Sequence, residues 1–215
     1  MTTSAEDRAL REPWDDLERQ RQAALTGIWF FSASELLFFG GLFVAYAVNF
    51  YLWPHGSMEA GGHTGLAYGL SNTVVLLLSS AAVAVAAASA RWPALGRFSR
   101  ACLWVTMILG VAFLTIKGLE YHHDIAEGLI PGPGFPIEAR GAQLFFAFYW
   151  TSTALHAVHL TVGLGLLLRL AIVGARDPQW YSKTPAVNVT ALYWGFVDVV
   201  WTILFVLIYL PGRAT

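Results

Sequence analysis

The chain has 215 residues and a formal net charge of -1, with 56% apolar, 14% aromatic and only 13% charged side chains and a mean hydropathy of +0.55. That balance excludes an ordinary soluble domain, and without a basic field or a Lys/Arg run nucleic acid is excluded as a partner. The single cysteine, Cys102, excludes an internal disulfide, a structural zinc cage and the paired thiolates of a binuclear copper centre, and reads as a small apolar helix residue.

Residues 1–24 form a charged tail with no apolar core of signal-peptide type, so no cleavage is expected and the first apolar stretch acts as its own insertion signal. Five stretches then follow, at 25–49, 67–90, 99–116, 142–168 and 187–210. Each is apolar and near the ~20 helical residues that cross ~30 Å of hydrocarbon. Turn-rich pieces separate them at 53–56, 91–93, 128–136 and 177–178, and 211–215 is a short tail. With no internal repeat or low-complexity linker, the expected fold is all-α, a polytopic membrane helical bundle of one domain with five transmembrane helices over 25–210. The fourth stretch is the longest, which predicts that its end projects or tilts.

An ionisable group at membrane depth is costly and is a functional-site hypothesis by default. In the first stretch Glu35 lies about ten residues in, hence about 15 Å deep at 1.5 Å per residue. Phe31 and Phe38 lie beside it, and a lone carboxyl there must be protonated or hydrogen-bonded. Its role is open between a proton-sensitive or lipid contact and plain interhelical bonding. In the second stretch Ala82, Ala86 and Ala90 form a small-residue stripe that lets another helix approach. At the outer end of the third, Lys117 and Glu120 stand three apart and can pair locally as an interfacial anchor.

The fourth stretch carries His156 and His159 on one face with Tyr149 and Thr153, and Gly163 and Gly165 for helix packing. The histidine pair is open between a hydrogen-bonded polar face and a lipid, proton or partner-subunit contact. In the fifth, Trp194, Asp198 and Trp201 give an aromatic face with a buried carboxylate in its middle, read as a packing surface with a hydrogen-bonded aspartate ahead of a proton channel.

Ligand arithmetic then limits the chemistry. Axial haem ligands must approach from opposite sides, which two histidines on one helix face cannot do, and His55, His63, His122 and His123 fall in outer loops or at their edge. A bundle di-metal site needs about four carboxylates with Glu-x-x-His spacing, and the core offers only Glu35 and Asp198. No catalytic or metal residue is therefore expected in this chain.

Orientation follows from the thirteen Lys/Arg. Ten (Arg8, Arg11, Arg19, Arg21, Arg91, Arg97, Arg100, Arg169, Arg176 and Lys183) fall on one side, and Lys117, Arg140 and Arg213 on the other. The amino terminus is expected in the cytoplasm and the carboxyl terminus outside. Trp14, Trp53, Trp92, Trp180 and Tyr181 sit at headgroup levels.

With these residues in view, the chain resembles subunit III of the haem-copper oxidases. The run Tyr193-Trp194-Gly195-Phe196-Val197-Asp198-Val199-Val200-Trp201 is similar to the family's Tyr-Trp-His-Phe-Val-Asp-Val-Val-Trp. Ser34-Glu35-Leu36-Leu37-Phe38-Phe39, Glu120-Tyr121 and His156-Ala157-Val158-His159, in the place of His-x-x-His, match in the same order. The resemblance implies an accessory subunit of a terminal respiratory oxidase in the bacterial inner membrane, with no cofactor of its own. Haem and copper are implied in the partner subunits I and II, and bound phospholipid is expected. It carries a proton-uptake role onto Glu35 and a structural or lipid-cleft role onto His156 and His159. Lipid or subunit contact is also expected of Glu120, Tyr121, Trp194 and Trp201. Longer members have seven helices, and Gly195 replaces the family's usual histidine. The short form with Lys117-Gly118-Leu119-Glu120-Tyr121 also resembles the branch associated with nitric oxide reductases. From another class, a small transporter or proton channel using Glu35, His156 and Asp198 is kept, although Gly/Pro-broken helices and internal symmetry are lacking.

Overall fold

A computed structural model describes residues 16–176 and 180–213. The described residues are all-α, with no strand, and five of the helices are long and apolar enough to cross a membrane. In chain order they are α1 (Leu17–Leu52), the short α2 (Pro54–Gly62), α3 (Leu66–Ala90), α4 (Gly96–Ala126), α5 (Ala142–Arg176), the one-turn α6 (Trp180–Lys183) and α7 (Ala186–Tyr209). A 3-10 turn at Pro93–Leu95 joins α3 to α4. Most of the charged tail, with Arg8, Arg11 and Trp14, lies outside the described residues.

Four helices, α3, α4, α5 and α7, make the core, and α1 leans on α5 and α7. In lipid the chain side faces are as apolar as the solvent, so close packing and interhelical hydrogen bonds hold the helices, the bonds at roughly 0.6 kcal/mol each. α3 meets α4 most extensively, through Ala86 and Ala90 of the small-residue stripe and two hydroxyl bonds: Ser99 Oγ donates to Ala86 O at 2.9 Å and Ser79 Oγ to Thr106 O at 3.3 Å. Trp201 Nε1 of α7 donates to Thr73 Oγ1 of α3 at 3.1 Å. Gly163 lies where a Cβ would sit 3.0 Å from the Trp194 ring, so the helix-packing role expected of it is physically present. Gly165 differs: it is exposed with open space beside it and packs against no helix among the described residues.

α1 is held at few points. Phe39, Tyr46 and Asn49 are buried; Tyr46 Oη donates to Leu207 O at 2.6 Å, and Asn49 Nδ2 to Gly141 O at 3.1 Å. Gly141 has φ +89° just before α5, and a Cβ there would meet Trp53 and Asn49. Only glycine permits both the left-handed turn and that approach. The opposite face of α1 exposes Trp29, Phe30, Leu37, Val44 and Tyr51.

Three boundaries differ from the sequence expectation. The 53–56 piece is no loop, because Pro54 opens α2 at a position where its missing N–H is unneeded. The longest helix is α1 at 36 residues, against 35 for α5. Most consequential, α4 does not end near Ile116. A single charged residue does not break a helix, and α4 runs on to Ala126, with Gly128, at φ +75°, closing it in a Schellman motif. There Leu129 N donates to Asp124 O and Gly128 N to Ile125 O. Ten further residues, with Lys117, Glu120, His122, His123 and Asp124, are thereby placed on a helix.

Candidate functional site

The extension of α4 continues its buried stripe without a break. Ser99, Leu103, Thr106, Gly110 and Phe113 are followed, at the same three- and four-residue spacing, by Lys117, Glu120 and Asp124, all buried. Lys117 is 2% exposed and Glu120 1%. This corrects the reading of Lys117 and Glu120 as an interfacial anchor: they do pair, at 3.0 Å, but inside the bundle.

The three N–H donors of the ammonium are all used. One goes to Glu120 Oε2, one to Tyr149 Oη at 3.1 Å and one to Tyr209 Oη at 2.9 Å. Tyr209 Oη in turn donates to Glu120 Oε1 at 2.6 Å, and Tyr149 Oη makes a short bond to Asp124 Oδ2. The rings of Tyr121, Tyr149, Tyr209 and Trp201 stand 4.5–5.8 Å from Nζ, within cation–π range. Tyr121 Oη and Thr153 Oγ1 share a bond at 2.7 Å. α4, α5 and α7 are thus clamped by one closed network of a cation, two carboxylates and three phenols.

One step deeper, His156 is 1% exposed and wedged between Phe113 and Trp201, ring centroids 5.5 and 5.1 Å away. Neither ring nitrogen has a hydrogen-bond partner. His159 turns toward a different neighbour: its Nε2 lies 3.0 Å from Glu35 Oε2 of α1, with Phe39 edge-on and Tyr193 Oη donating to its carbonyl at 2.9 Å. The two histidines therefore serve separate environments.

The Glu35–His159 pair has a defined proton content. His159 Nδ1 lies 2.8 Å from Leu155 O, and a carbonyl only accepts, so Nδ1 carries hydrogen. The bond from Nε2 to Glu35 then holds one further proton, either on the carboxyl with a neutral ring or on the ring with a carboxylate. Glu35 is no lone carboxyl, as the sequence had left it. The pair is also more accessible than the ionisable side chains Lys117, Glu120, His156 and Asp198, with side chains 21% and 18% exposed.

Asp198 is buried on α7 between Trp194 and Trp201, with Ser80 of α3 as its polar neighbour. Asp198 Oδ1, Ser80 Oγ and Trp194 Nε1 make no hydrogen bond, so the aspartate is less completely bonded than expected.

A family model for cytochrome c oxidase subunit III matches residues 20–213. The chain belongs to the cytochrome c oxidase subunit III family. It is 33% identical to the cytochrome bo(3) ubiquinol oxidase subunit 3 of Pseudomonas aeruginosa, over 86% of this chain and 84% of that one. It is 28% identical to the cytochrome c oxidase subunit 3 of Alkalihalophilus pseudofirmus, over 86% and 85%. It is also 30% identical to the haem-copper oxidase subunit I+III of Aeropyrum pernix, over 86% of this chain and 22% of the longer protein.

For this subunit III chain the family resemblance read from the nonamer, the Glu35 hexamer and the histidine pair is thus correct, and it is an integral membrane protein of the haem-copper oxidase class. The nonamer's Trp194, Asp198 and Trp201 all point into the core. His156, Glu120, Trp194 and Trp201 are each under 2% exposed in this chain by itself, and His159 and Tyr121 are partly exposed. Asp124, Tyr149 and Tyr209 were missed as members of a charged site. The uninterrupted α4 stripe was the signal that could have found Asp124.

Proposed function

We propose that this chain is a non-catalytic accessory subunit of a terminal respiratory oxidase, which stabilises the catalytic subunit and supports proton uptake. The observation that carries the reading is the Glu35–His159 pair, a one-proton unit at membrane depth that stays partly open while Lys117, Glu120, His156 and Asp198 are buried. Haem and copper belong to partner subunits I and II; the Aeropyrum relative, named as subunit I+III, joins the two kinds of subunit in one chain and supports adjacency to subunit I. The relatives' names divide between quinol and cytochrome c oxidases, and the proposal holds for either donor. The charge distribution supports an inner-membrane orientation with the amino terminus cytoplasmic and the carboxyl terminus external, and phospholipid is a further partner.

Purification of the tagged full chain from its own membranes in mild detergent tests this. Recovery of haem-copper oxidase subunits I and II is the expected result. Recovery of nitric oxide reductase chains, or of the chain alone with ion flux in liposomes, would contradict it.

A further inference from the structure

Lys117, Glu120 and Asp124 share one buried face of α4, and their charges do not cancel. The ammonium spends its three hydrogens on Glu120 Oε2, Tyr149 Oη and Tyr209 Oη, so it balances Glu120 and has none left for Asp124. Among the described residues Asp124 is in no ion pair, and the adjacent His123 is paired with Glu127 at 3.6 Å. The helices packed around it bring phenols and a hydroxyl. α5 contributes Tyr149 and Thr153, the latter bonded to Tyr121 of α4, and α7 contributes Tyr209. α3, which has no charged side chain, sets Tyr68 against the His123 ring. One buried carboxylate is therefore left over, and a proton is the smallest ion that neutralises it.

Tyr149 determines where that proton goes. Its Oη makes the short bond to Asp124 Oδ2 and lies 3.3 Å from Glu120 Oε1, and it has a single hydrogen for the two carboxylates. With Asp124 ionised, the phenol donates to Asp124. With Asp124 protonated, the new carboxyl O–H donates to the phenol oxygen, which still accepts from Lys117, and the phenol hydrogen turns to Glu120. Lys117, Tyr209 and Glu120 keep their bonds in both arrangements, so the proton enters without opening the clamp. Asp124 is the member nearest water: it is 4% exposed, against 2% for Lys117 and 1% for Glu120, and it lies two residues from the end of α4. Its neighbours His123 and Glu127 have side chains 54% and 47% exposed.

We propose that Asp124, Tyr149 and Glu120 form a proton-binding site, which takes one proton at Asp124 from the end of the bundle where α4 terminates and turns the Tyr149 hydroxyl from Asp124 to Glu120. One O–H bond forms on Asp124 and one breaks in the hydronium that supplies it, and the surplus negative charge of the site is cancelled. The site shares no residue with the Glu35–His159 pair and does not depend on the oxidase reading.

Infrared difference spectra recorded as the pH is lowered, on the full chain purified with its partners and carrying ring-deuterated tyrosine, test this. One carboxylic-acid C=O band should appear and one tyrosine C–O band should shift with the same midpoint. Asp124→Asn should abolish both signals. Tyr149→Phe should abolish the tyrosine shift, which keeps the test alive if Asp124→Asn does not fold. The proposal is overturned if no acid band and tyrosine shift share a midpoint in the parent, if either signal survives in Asp124→Asn, or if the tyrosine shift survives in Tyr149→Phe.

Discussion

Glu35 and His159 hold one proton between them, so removing the acid should change proton handling more than architecture. In Glu35→Gln the amide can still donate to His159 Nε2, and a neutral hydrogen bond is worth about 0.5–1.5 kcal/mol net. Assembly should therefore persist while proton uptake slows or the turnover lifetime of the complex shortens, measured by stopped-flow proton uptake and sustained oxygen consumption. Loss of the complex from the membrane would instead assign Glu35 to structure. Lys117 is the opposite case. Lys117→Met strands Glu120 and Asp124 beside three phenols, and breaking a buried pair from one side costs about 3–5 kcal/mol. A marked fall in thermal melting temperature is expected, partly restored by Lys117→Met/Glu120→Gln. His156, with both nitrogens unbonded between two rings, should tolerate His156→Phe within about 1 kcal/mol. His156→Ala should cost about 2–4 kcal/mol through the cavity left behind. Neither should remove a haem band from the parent complex. A large loss in His156→Phe alone would show that a hydrogen bond at that ring matters after all.

At the scale of elements, the apolar stretches made the spans legible, and the Ala86–Ala90 stripe and the Trp194–Trp201 face were readable from spacing alone. What spacing hid was partnership between helices. The pairing of His159 with Glu35 joins residues 124 apart, and no periodicity on one helix reports which neighbour it faces. Hydropathy misled at α4, because Lys117 looked like the end of a span. The period of the stripe, not its polarity, was the better guide, as a buried face can continue through charged residues that satisfy one another. The seam between α5, α4 and α7 offers a direct check. A Cβ on Gly110 would meet Trp194 at 2.8 Å and Leu164 at 2.9 Å, and Gly163 is scarcely roomier. Gly163→Leu should lower stability by about 1–3 kcal/mol through overpacking. Gly195→Ala, with nothing within 4 Å, should be neutral or gain up to about 1 kcal/mol from helix propensity. Thermal melting in detergent distinguishes the pair. Equal effects would show that Trp194 does not seat against Gly163.

Across the whole molecule, a tight four-helix core carries a loosely attached α1, whose outer face is large and apolar. The sealed Lys117 network ties α4, α5 and α7 together, and the partly open Glu35–His159 pair sits on the side that α1 covers. In the proposed function, a subunit built this way contributes support and a proton site while the redox chemistry stays in its neighbours. Deleting this chain and following the purified oxidase through sustained turnover is the most direct measurement of that division of labour. The haem absorbance of the complex and its initial rate of oxygen consumption should survive the deletion, while activity decays sooner than in the complete complex. A complex that loses haem absorbance together with its initial rate would contradict the account.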